Sequence, residues 1–162
     1  MIKGVSLLLS LLFLMSCSPR PAYQDVISTF QDNRPTFTMI ASLACDIGKR
    51  SQQATYEITG ENKKEEELLA LAQSVDIDAI TVVRESERCR LSMPVWEATD
   101  DTVWTRYAYR YNVKLPHPYL QEKHDYQQIT SSVSQKRPSS MGFDMKLSRK
   151  WFFSFKASHI NP

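Results

Sequence analysis

The sequence predicts an α+β fold: a single small domain built on a mainly antiparallel sheet, with one principal helix and a short helix near its N-terminus. Three observations carry this. Apolar and polar residues alternate with a period of two at 91–95, 107–115 and 143–157, the mark of half-buried strands. A capped amphipathic helix is written over residues 63–75. Tyr and Phe, at seven each, favour sheet.

The chain begins with a positive segment, Met1-Ile2-Lys3, and then an apolar run from Val5 to Met15 broken only by Ser6 and Ser10. A membrane-crossing helix needs about 20 apolar residues, and this run is too short. It has the length of a signal-peptide core. Leu14-Met15-Ser16-Cys17 resembles the lipobox of bacterial lipoproteins: an aliphatic residue three before the cysteine, a small residue just before it, then Cys. The resemblance implies a signal peptide over residues 1–16, cleavage before Cys17 and acylation of Cys17. Several acyl chains hold a protein stably where one holds it only marginally. Ser18, in place of Asp, implies the outer membrane. The alternative is an ordinary secretory signal with Cys17 as a free thiol.

Removing residues 1–16 leaves 162 − 16 = 146 residues, enough for one domain with a real core. Residues 17–22 form a tether, with Pro19 and Pro21, and 23–162 the periplasmic domain. With Cys17 committed to lipid, Cys45 and Cys89 are the only pair left for a disulfide, in a compartment that permits one. The alternative is two unpaired buried thiols. Charges nearly balance, 20 Lys+Arg against 18 Asp+Glu, which makes no case for a nucleic-acid partner. Four glycines are too few for Gly-rich phosphate loops.

Taken in order, Val26, Ile27 and Phe30 predict a short helix from Tyr23 to Asn33. Phe37, Met39, Ala41, Leu43, Cys45 and Ile47 alternate and predict a strand, with a helix over Ala41–Arg50 as the competing reading. Thr55–Thr59 is a second short strand. Asn62 and Glu65 sit at capping-box spacing, and Glu65-Glu66-Glu67 lies in the first turn of the following helix, where its dipole favours negative charge. Leu68, Leu69, Leu71, Ala72 and Val75 form its apolar face. Ala79–Arg84 reads as a central strand covered on both faces.

A hairpin comes next, centred near Asp100. It pairs Met93 with Tyr107, Leu91 with Tyr109 and Trp96 with Trp104, leaving Cys89 opposite Tyr111. Its second strand runs to Leu115 and stops at Pro116-His117-Pro118. Residues 119–140 are polar and read as a loosely ordered loop. Residues 143–157 form one long strand, or a hairpin turning at Leu147–Lys150.

The run Leu68–Val83, a helix leading through Asp76-Ile77-Asp78-Ala79 into a strand, resembles a unit of small envelope lipoproteins such as the Rcs stress-sensor lipoprotein. Those families place Gly-Ala before the Asp where this chain has Asp76-Ile77. The resemblance implies an α+β sheet and carries no functional residue with it.

No catalytic constellation is legible. His117, His124 and His159 lack zinc-motif spacing, so no metal or cofactor is expected. Asp100-Asp101 reads as a turn rather than a carboxylate pair. Two aromatic groups are candidate binding surfaces. Tyr107, Tyr109 and Tyr111 read as a core face or as the lining of a ligand pocket. Trp151 and Phe152, set among lysines and an arginine, are candidates for contact with a partner or anionic lipid. The expected function is non-enzymatic: a lipid-anchored outer-membrane lipoprotein on the periplasmic side that binds an envelope protein. A small-ligand receptor and a periplasmic inhibitor or immunity protein are the alternatives. Oligomeric state is left open.

Overall fold

The computed structural model describes residues 19–85 and 88–160, which form four helices and six strands. The expected signal peptide and Cys17 lie outside the described residues. Helix α1 spans Tyr23–Asp32 and buries Val26 and Phe30, as the spacing predicts; the Asp25 carboxylate accepts from the Ala22 amide at its start.

Residues expected to form a strand instead continue as helix α2, Arg34–Arg50. Pro35 sits in its first turn, where a missing amide costs nothing. The buried residues are Phe37, Ile40, Ala41, Ala44 and Gly48, a helical spacing, while Met39 and Leu43 of the apparent alternation are exposed. Gly48 lets the helix lie on the sheet: a Cβ there would stand 2.5 Å from Val82 Cγ1. The Arg84 guanidinium donates to the Lys49 and Ser51 carbonyls where α2 ends.

Strand β1 (Thr55–Glu57) precedes helix α3 (Lys63–Gln73), whose apolar face buries Leu68 and Ala72. The Asn62 side-chain oxygen accepts from the Lys64 and Glu65 amides, as an N-cap should. Strands β2 (Thr81–Glu85), β3 (Arg88–Asp100), β4 (Val103–Tyr111), β5 (Ser140–Lys146) and β6 (Trp151–His159) complete the sheet. It is antiparallel throughout, in the order β1-β2-β3-β4-β6-β5.

Strand β2 lies second from the edge and is covered on one face only. Val82 is buried against α2, while Thr81 and Val83 are half-buried. The β3–β4 hairpin forms, with a register shifted from the expected one by two residues as far as Pro94 and by three beyond it. Leu91 faces Tyr111, Met93 faces Tyr109, Trp96 faces Tyr107, Thr99 faces Trp104, and Cys89 pairs with Arg84. Asp100 pairs with Val103, so the turn is Asp101-Thr102, with Asp101 in the left-handed region at φ 46°. A bulge between Pro94 and Trp96 inserts an extra residue and reverses the facing of the residues beyond it. Trp96 thereby joins the tyrosines, its ring 5.0 Å from Tyr107.

Strand β4 ends at Tyr111 rather than Leu115. Asn112 turns the backbone at φ 59°, and Leu115 is 80% exposed. The segment expected to be a loose loop contains helix α4, Tyr126–Ser134, capped by the Asp125 side chain and buried at Ile129 and Val133. Residues 143–157 adopt the hairpin alternative, β5 turning into β6. Tyr107, Tyr109, Phe143, Phe153 and Phe155 face the helices. Helices α1, α2 and α4 pack on that face, and α3 packs on α2. The Cys45–Cys89 disulfide joins α2 to the start of β3, with Cα atoms 5.7 Å apart.

Candidate functional site

The strand pairing determines which side chains occupy the face without helices. Side chains alternate along each strand, so the residues between the core tyrosines and phenylalanines project to the other side. Across the sheet these are Ser92, Arg110, Phe152 and Lys146 in one row; Pro94, Ala108, Ser154 and Asp144 in the next; then Glu97, Arg106, Lys156 and Gly142. An outer row holds Thr99, Trp104, Ser158 and Ser140. This face carries an open groove of about 690 Å³, with Trp104, Arg106, Arg110 and Lys156 among its lining residues.

One buried carboxylate braces the groove. Asp144 is 5% exposed and accepts from the Ser154 hydroxyl, the Arg110 guanidinium at 3.2 Å and the His117 amide at 2.9 Å. The Asp144 amide in turn donates to the His117 carbonyl, and Pro118 bridges to Asp144, so the 112–120 segment is pinned to the outer edge of β5. The Trp104 indole donates to Glu97 at 2.6 Å, and the Lys156 ammonium stands 5.8 Å from the Trp104 ring centre.

The aromatic candidates fall elsewhere. Tyr107 and Tyr109 are fully buried and serve the core. The Tyr109 hydroxyl donates to the Val26 carbonyl of α1 at 2.7 Å, and burial pushes its phenol well up. Trp151 is buried against Phe30, Phe37 and the half-buried Tyr111. Phe152 does project to the helix-free face, but it is 9% exposed and does not line the groove. The arginines that alternate with the tyrosines in β4, Arg106 and Arg110, are the residues that reach the groove. Asp144 carries no sequence signal beyond its polar parity.

A second site ties the tether down. The Arg20 guanidinium lies 4.1 Å from the Tyr126 ring centre and donates to the Tyr107 hydroxyl at 3.1 Å. Tyr23 fills the space beside it, its ring 5.6 Å from Tyr107 and 5.4 Å from Phe153. Burial raises the Tyr23 phenol strongly and the Tyr107 phenol as well, so both remain neutral; the Tyr23 hydroxyl donates to the His124 carbonyl at 3.3 Å, while the Tyr107 hydroxyl accepts from Arg20. Replacing Arg20 with Ala removes an exposed cation–π contact and one hydrogen bond, so it is expected to cost about 1 kcal/mol. Urea denaturation of wild type and Arg20→Ala checks this, and the variant's tether should be cut faster by trypsin at Lys or Arg sites introduced beside it.

Among the described residues, no group of three or more His, Cys, Asp or Glu is placed to hold a metal, and no helix is long and apolar enough to cross a membrane. Set against known protein families, curated proteins and solved structures, the chain matches none of them.

Proposed function

We propose that this chain is an outer-membrane lipoprotein, acylated at Cys17 and facing the periplasm, that works by binding a protein partner in envelope assembly, secretion or sensing and performs no chemistry itself. The observation that carries the reading is the helix-free face of the sheet. Helices cover one side and bury its aromatic residues, while the other side presents charged and hydroxyl side chains around a groove. A surface of this kind suits binding through charged and hydrogen-bonding contacts, with Trp104 as an apolar flank. The bonded Cys45–Cys89 pair fits an oxidising compartment, and the resemblance of Leu14–Cys17 to a lipobox supplies the anchor.

Mild crosslinking in the native host followed by capture of the full-length protein is expected to enrich an envelope protein. Cys17→Ala should weaken that enrichment by releasing the domain from the membrane. Recovery of no envelope protein above background would overturn the reading. A small-ligand receptor is the second reading, favoured by the groove volume, which lies within the range of ligand sites. Its pocket would be the groove and not the buried tyrosine stripe.

A further inference from the structure

We infer that the groove on the helix-free face takes an acidic segment of a protein partner, held by Arg106, Arg110 and Lys156. The inference rests on the partner-binding reading and adds the chemistry of recognition.

Arg106 and Lys156 stand directly opposite one another across the β4–β6 ladder. Like charges in that position repel, so packing alone gives no reason for the pair. Carboxylates within the face do little to relieve it. Among the described residues Arg106 pairs only with the half-exposed Glu97, at 3.8 Å, and Glu97 also accepts from the Trp104 indole. Lys156 is exposed and makes no ion pair among the described residues. Asp144, the one carboxylate that lines the groove, is buried and already committed to Arg110, Ser154 and His117.

The groove lining therefore carries three cations against one carboxylate, in a chain whose charges otherwise nearly balance. Arg110 is held in place by the buried Asp144, which accepts from its guanidinium at 3.2 Å. Trp104 supplies an apolar flank for the stem of a Glu side chain or for an aromatic neighbour. Two arginines and an ammonium without an ion pair among the described residues, along two paired strands, match two or three carboxylates on an extended segment.

The position of the tether favours protein over lipid as the source of that negative charge. Arg20 is clamped to Tyr107 and Tyr126, on the helix-covered side of the sheet. Arg20 lies three residues past the expected acylation site, so this part of the tether is held on the helix-covered side, and the groove opens on the opposite side.

The test uses the full-length protein in its native host, with a photocrosslinking amino acid at Thr99 or Ser158 on the groove rim, or at Leu43 on the outer side of α2. The expected result is a protein adduct from Thr99 and Ser158 whose crosslinked peptide contains two or more Asp or Glu residues. Arg106→Gln with Lys156→Gln should reduce that adduct about tenfold, while Arg106→Lys with Lys156→Arg retains it. The Gln double variant should keep its thermal midpoint, because it removes a repulsion. Adducts that ignore the charge change, a captured peptide without acidic residues, or adducts to lipid or glycan alone would overturn the inference. Protein adducts from Leu43 only would overturn it while leaving the partner-binding reading intact. No protein adduct from any position would remove both.

Discussion

Reducing the Cys45–Cys89 bond is expected to lower the stability of the folded domain by about 3–4 kcal/mol. The bond closes a loop of 44 residues that contains the C-terminal end of α2, β1, α3 and β2. Without it, the unfolded chain regains the freedom that the closed loop denies, and the loss scales with the logarithm of loop length. The loss also falls where the sheet is least supported. Strand β1 is three residues long and lies at the edge, and α3 meets the rest of the domain mainly through α2. Urea denaturation of wild type with and without reductant, and of Cys45→Ser with Cys89→Ser, should give matching midpoints for the reduced protein and the double variant. Equal stability of the oxidised and reduced forms would show that the bond closes no ordered loop.

Glu65→Ala is expected to cost a further large amount, about 3–5 kcal/mol. Glu65 is fully buried, yet four donors converge on its carboxylate: the Tyr56 hydroxyl at 2.7 Å, the Thr59 and Gly60 amides at 3.1 Å and the Asn62 side-chain amide at 2.6 Å. Burial opposes its ionisation, but the donors outweigh that cost, the Tyr56 hydroxyl foremost, and hold the carboxyl below its ordinary value of 4.5. The same hydrogen bond pushes the Tyr56 phenol up to about 12. Alanine would leave the donors buried with nothing to accept from them.

The lowered value sets the sign of the pH dependence. The unfolded chain binds the proton first, so this stabilisation is complete above pH 4.5 and fades as pH falls through the lower folded value. Glu65→Gln keeps the shape, offers one accepting oxygen and should lose that acid dependence. Denaturation midpoints of wild type and Glu65→Gln from pH 7 down to about pH 3 check both points.

Much of the fold was legible in the sequence, and the exceptions have physical causes. The helix from Lys63 was readable because cap, dipole and apolar face agree. The segment 37–47 was not, because Met39 and Leu43 are apolar residues on an exposed helix face and counterfeit a period of two. Helix α4 was hidden because Ile129 and Val133 are its only fully buried side chains and the rest of it is polar. Alternation placed Leu91, Met93 and the tyrosines on one face, but neither the register nor the face of Trp96, expected opposite the tyrosines, followed from it. A bulge at Val95 leaves no compositional trace, and Asp100 and Asp101 are equally acceptable turn residues.

The site shows the same division. The tyrosine stripe is a core face, and its complement was visible as the intervening arginines of β4. That Arg106 would meet Lys156, and that Asp144 would pin both Arg110 and the 112–120 segment, depends on the order of β4, β6 and β5, which local sequence does not encode. Glu65 was readable as helix-start chemistry. Its burial under Tyr56 depends on where β1 lies.

The anchor and the cysteines form one claim, and an intact mass decides it. The protein is extracted from native membranes, denatured without reductant, exposed to a thiol alkylating agent and weighed. The expected mass is that of a chain beginning at Cys17, carrying acyl groups and bearing no alkyl addition, with two additions appearing only after reduction. A chain that begins elsewhere, or an unacylated Cys17 that alkylates without reductant, would contradict the lipid-anchored reading.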